Sequence, residues 1–169
     1  MSFKNEIKEK ASAGLTAGLM IFSMLFFNFE SRGQAPPLFT EELLNLTLSG
    51  DLKAVFKDRG DDSQYHPVDL SYLSGVKEIK IPLKIKTRGH FRKSASNCKY
   101  PPLMLNFPKS EVTENTLFAG QNKMKLVTPC QGEQYIVHEY LVYKLYNLFS
   151  PQSFQAQLLK ISFQDTLKQ

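Results

Sequence analysis

Ile79, Ile81, Leu83 and Ile85 alternate without a break with Lys80, Pro82, Lys84 and Lys86. Strand side chains point to opposite faces with a period of two, so this run predicts a strand with one apolar and one lysine-rich face. The sheet around it should then be buried on one side and wet on the other, as antiparallel sheets often are. Proline has no backbone N–H, so Pro82 predicts an edge strand or a bulge at that point.

Shorter runs repeat the pattern. Leu44, Leu46 and Leu48 alternate with Asn45 and Thr47, and Val68–Tyr72 alternates in the same way. Leu103, Leu105 and Phe107 give a further strand, and Met124, Leu126 and Thr128 another. Phe154–Phe163 reads as the last. Ser49-Gly50, Arg59–Ser63 and Ser74-Gly75 punctuate these runs as turns. Asp51 is placed to cap a short helix that carries Leu52, Val55 and Phe56 on one side.

From Glu133 to Phe149 the period changes to that of a helix. Val137, Leu141, Leu145 and Leu148 form a stripe that Ile136, Tyr140 and Tyr143 widen, and Ser150-Pro151 ends it. The order predicts an α+β fold, a mostly antiparallel sheet with the one long helix packed on it.

Before the first strand, Lys4, Lys8 and Lys10 precede the uncharged run Ala11–Phe29, and Ser31 and Gly33 suit the positions before a cleavage at Gln34. A basic start, an apolar middle and small residues after it make a secretory signal. The apolar run also approaches the roughly 20 residues that span a bilayer, so an uncleaved N-terminal anchor is the competing expectation. Apolar residues cover every face of that segment, which argues against a core helix, and no cysteine follows it for lipid attachment. Residues 1–33 are therefore expected to be a signal peptide or anchor, and 34–169 a single α+β domain. That domain is expected outside the cytoplasm, in the periplasm or on the outer surface, or held at the inner membrane through residues 11–29.

The 169 residues suffice for one domain, and 42% hydrophobic against 22% charged content excludes global disorder. Net charge is +5, and residues 34–169 keep +4 of it. So mild an excess permits an anionic partner without demanding one. No nucleic-acid motif is present, and Phe91 and Tyr100 make no stacking series, so nucleic acid is not expected as a partner.

Two cysteines in an exported chain predict one disulfide, Cys98–Cys130, against the alternative of two buried thiols. His66, His90 and His138 are not at ligand spacing, and a metal site is not expected. Arg59-Gly60-Asp61 has the form of an integrin-binding tripeptide but is common by chance. The candidate binding residues are fewer. Arg88-Gly89 ends the lysine strand with a cation beside a permissive backbone, a corner suited to phosphate or carboxylate. Lys125, on a strand, and Glu139, on the following helix, are the types that kinases pair to hold nucleotide phosphates. A solvated lysine face and a chance pair account for the same residues without a ligand.

Several blocks resemble a family of uncharacterised exported bacterial proteins. They are Leu46-Thr47-Leu48 with Asp51-Leu52-Lys53, Tyr65-His66-Pro67, Thr87 to Arg92, Cys98 with Pro101-Pro102-Leu103, Lys125 to Cys130, and Glu139 to Tyr146. The layout is also similar to the N-terminal part of CotH-type (spore-coat) kinases, in which a strand ends in Arg-Gly and a helix follows further strands. That resemblance implies an incomplete kinase-like N-lobe with Arg88, Lys125 and Glu139 nearest a nucleotide, and ATP with magnesium as cofactor. Both families continue past the last strand here, and the acidic residues for metal and phosphoryl transfer would lie in that continuation. The chain is then expected to be a fragment or a truncated product.

The leading expectation is therefore a non-catalytic exported domain, or the N-terminal part of a larger envelope protein, without a cofactor of its own and with an unknown protein or envelope component as partner. The alternatives are the nucleotide-binding part of an atypical kinase, and an envelope adhesin or binder of anionic ligands.

Overall fold

A computed structural model describes residues 38–167 except 113 and 151, so the expected signal or anchor at 1–33 lies outside the described residues. In chain order the elements are β1 (Leu44–Gly50), α1 (Leu52–Lys57), β2 (His66–Ser74), β3 (Lys77–Thr87), a 3-10 turn (Phe91–Lys93), β4 (Leu103–Asn106), β5 (Lys123–Leu126), α2 (Glu133–Phe149) and β6 (Leu159–Asp165). The strands form one sheet in the order β5-β4-β3-β2-β1-β6. Every pairing is antiparallel except β1 with β6, which run parallel in register from Leu44↔Leu159 to Gly50↔Asp165. The α+β class and the mostly antiparallel sheet follow the sequence pattern.

The alternation decides the faces. Leu46, Leu48, Val68, Leu70, Tyr72, Ile81, Leu83, Ile85, Leu103, Leu105 and Leu126 all turn to one side and form the core. Lys80, Lys84 and Lys86 of β3 turn the other way and are exposed or half-exposed. β2 and β3 are joined by a two-residue loop, a length that favours positive φ, and Gly75 supplies it at +61°. Asp51 caps α1 as expected, its Oδ1 accepting from the Ala54 N–H at 2.9 Å. The sheet curls, because Tyr100, just before β4, stacks on Phe163 of β6 at 5.6 Å although three strands lie between β4 and β6.

Pro82 does not mark an edge strand, since β3 is third in the sheet. The missing donor is tolerated for a local reason. Pro82 faces Asp69 of β2, while pairing with β4 begins only at Lys84↔Asn106. On its β4 side, β3 is therefore a free edge at Pro82.

The long helix departs from expectation more strongly. It forms over the predicted residues, but it has no buried residue and is not packed on the sheet by its apolar stripe. Val137, Leu141, Leu145 and Leu148 remain 40%, 55%, 56% and 80% exposed. The place on the core is taken by shorter pieces. α1 contributes Leu52 and Val55, and the segment after β4 contributes Phe107, Val112, Leu117 and Phe118. Phe118 stacks on Phe107 at 4.9 Å and meets Tyr72 edge-on at 5.8 Å. The Tyr72 hydroxyl accepts the Leu117 N–H at 2.7 Å, and burial pushes that phenol's pKa up.

Candidate functional site

The Arg-Gly corner and the two cysteines are gathered at one end of the sheet by a polar hub. Its centre is Arg59, just after α1. The guanidinium donates to the carbonyls of Phe56, Lys93, Cys98 and Lys99, at 2.7, 3.3, 2.9 and 2.6 Å. A planar fork of five donors is suited to several acceptors at once, and a lysine could not match it. Arg59 is thus committed to four carbonyls inside its own domain, which sets aside the integrin-type reading of Arg59-Gly60-Asp61.

Around Arg59 the loops lock together. Lys93 is 8% exposed, and its ammonium donates to the Gly60 carbonyl and to Ser63 Oγ. Ser63 Oγ donates to the Thr87 carbonyl at 2.9 Å, and Thr87 Oγ1 to the Asp58 carbonyl. The Asp58 carboxylate lies 2.9 Å from His66 Nε2 and accepts the Gln64 N–H at 2.8 Å. Those two bonds, the histidine first, hold the Asp58 pKa below its ordinary 3.8. Nothing periodic in the sequence marks Asp58, Arg59, Ser63, Thr87 and Lys93 as a set, so only their meeting in space reveals the hub.

The expected disulfide is present. Cys98 and Cys130 are bonded, with their Cα atoms 4.8 Å apart. The bridge ties the loop after the 3-10 turn to the start of α2. Arg92 reinforces it from the same turn through an ion pair with Glu139 at 3.3 Å. Between them Phe91, Arg92, Cys130, Gln131, Tyr135 and Ile136 line a cavity of about 270 Å³.

Each of the three candidate binding residues has its own partner. Arg88 lies directly after β3, its N–H donating to the Pro102 carbonyl at 2.9 Å. Gly89 beside it has φ +90°, and a Cβ there would meet nothing within 4 Å. The glycine therefore serves the turn and not a close backbone approach. Lys125 is exposed on β5 with its ammonium 5.2 Å from the Phe154 ring centre. Glu139 is held by Arg92. Among the described residues no ion pair joins Glu139 to Lys125 or Arg88. Among the described residues no group of three or more His, Cys, Asp or Glu side chains is placed to hold a metal ion. No helix among them is long and apolar enough to cross a membrane.

No protein-family model matches the chain, and no curated protein matches it in sequence.

Proposed function

We propose that this chain is an exported, non-catalytic interaction domain, a lobe of a cell-envelope assembly, whose docking element is α2. One observation carries the reading. The side of α2 with Leu141, Val142, Leu145, Tyr146, Leu148 and Phe149 leaves each of these at least 55% exposed on a domain whose core is already filled by other segments. A row of large apolar side chains in water is a characteristic of surfaces meant to be covered. The helix is also held in a defined place. The disulfide and Arg92 hold its beginning, and Lys144 pairs with Glu41 at 2.7 Å further along. A structural disulfide fits the oxidising compartment that export would provide.

The partner in this reading is a protein or another envelope component, with membrane contact only through residues 11–29 if they stay attached. The kinase-like alternative asks Lys125 and Glu139 to act on one nucleotide, and their separate partners lend it no support. A photo-crosslinking residue at Val142, in the cells that make the protein, tests the proposal. One discrete adduct, lost in Leu145→Glu, is expected. No adduct, or the same adduct from a crosslinker at Lys53 on α1, overturns it.

A further inference from the structure

We infer that the open face of the sheet is a binding surface for an anionic polysaccharide, centred on Lys84, Lys86, Lys123 and Lys125. The register builds the site. Lys84 lies opposite Asn106, and Asn106 opposite Lys123. One step along, Lys86 lies opposite Met104, and Met104 opposite Lys125. Paired residues share a face, so the four lysines stand at the corners of a rectangle around Asn106 and Met104. Its sides are about 7 Å along the strands and about 10 Å across them.

The rectangle has little to neutralise it. The outward strand positions carry two carboxylates, Asp69 and Glu78, and Asp69 is taken by Lys80 at 3.0 Å. Glu78 lies toward the hairpin end of β3, opposite Leu73. Among the described residues none of the four lysines makes an ion pair. Two are steadied by aromatic rings instead. The Lys86 ammonium lies 5.0 Å from the Tyr65 ring centre, and Lys125 is held over Phe154. Both contacts leave the cations uncompensated.

The surface chemistry selects the kind of polyanion. Lysine presents a compact, hydrated charge on a flexible stem, suited to carboxylate or sulfate groups along a chain and not to planar bidentate recognition. No aromatic side chain occupies an outward position of β3, β4 or β5, and the two rings beside the patch, Tyr65 and Phe154, are each engaged by a lysine ammonium. The strands themselves therefore offer no series of rings of the kind single-stranded nucleic acid stacks on. Pro82 and Met104 are the apolar outward residues of these strands, and the one exposed ring at their edge, Phe154, lies against Lys125, so the strands present no row of apolar side chains to a bilayer. Two rows of cations at a repeating interval fit the repeating charge of a uronic or sulfated glycan. The inference concerns a different surface from α2 and does not depend on what covers that helix.

Binding of a heparin octasaccharide to the full chain, followed by calorimetry, tests it. Affinity is expected to fall about tenfold or more between roughly 50 and 300 mM NaCl. It should also fall about tenfold in the Lys84→Glu, Lys123→Glu double variant, and by less than about twofold in Lys53→Glu, Lys57→Glu on α1. The substituted residues Lys53, Lys57, Lys84 and Lys123 are all exposed, and unchanged circular dichroism shows that each variant is folded. Equal binding to neutral dextran, or equal losses in both double variants, overturns the inference. So does tighter binding of an oligothymidylate of the same charge, or of phosphatidylglycerol vesicles.

Discussion

Truncating Leu141 to alanine, beside the matched truncation of Leu70, measures how much of α2 belongs to the domain's own core. Leu70 is 0% exposed on β2 and Leu141 is 55% exposed on α2. Removing three carbons from full burial costs roughly 2.4 kcal/mol in transfer, at about 0.8 kcal/mol per CH₂. The cavity left behind raises Leu70→Ala to about 3–5 kcal/mol. At Leu141 less than half of the side chain is covered and the vacated space opens to water. The loss is then about 1 kcal/mol, reduced by a few tenths because alanine is the better helix former. For the roughly 130 described residues the unfolding entropy is roughly 0.27 kcal/mol per kelvin. The expected fall in Tm is thus about 11–18 °C for Leu70→Ala and about 4 °C or less for Leu141→Ala. Thermal unfolding followed by far-UV circular dichroism, with urea titrations for the free energies, reads both. A Leu141→Ala loss as large as that of Leu70→Ala would refute the reasoning. The helix would then be packed on the core, and its apolar side would not be free for a partner.

Reducing Cys98–Cys130, which closes a span of 32 residues, is expected to cost about 3.7 kcal/mol and lower Tm by on the order of 13 °C. Hydrogen exchange should quicken first in the loop after the 3-10 turn and at the start of α2, and a Tm unchanged by reduction would contradict a structural bridge. Arg59→Lys, which keeps the charge but not the fork, is expected to destabilise the domain by about 2–4 kcal/mol in urea unfolding. A loss below about 0.5 kcal/mol would show that the four carbonyls do not depend on it. Asp58 has a folded pKa below its ordinary 3.8, so its contribution is full above that value and fades as pH falls through the folded pKa. The stability gap between the wild type and Asp58→Asn should therefore be flat at neutral pH and narrow below 3.8. A gap that widened there would reverse the sign.

The strands and the long helix were legible because their signals are local. Alternation from Ile79 to Ile85 assigns both faces of β3, and the change to helical spacing at Glu133 marks α2. The Asp51 cap needs a partner only three residues away. The disulfide followed from there being two cysteines and an expected export signal. Boundaries were less sharp, since β6 begins at Leu159 although alternation starts at Phe154. The candidate site was legible only as residue types. Glu139 was marked as an acid facing a cation, but the cation is Arg92, from a turn that the sequence did not announce.

By itself the sequence determined which residues form strands and helices, which side of the sheet is apolar, and which cysteines pair. Those properties depend on side-chain period and on a short inventory. Only the tertiary structure decided what lies on the apolar side. α1 and the segment from Phe107 to Phe118 fill the space that the stripe of α2 was expected to fill, and several apolar segments competed for one surface that could hold only some. Long-range pairing likewise set β6 against β1, brought Arg59 to the carbonyls of Cys98 and Lys99, and placed Lys123 and Lys125 on the face of Lys84 and Lys86. No local pattern encodes such meetings, because they depend on how distant parts of the chain divide the same core and the same sheet.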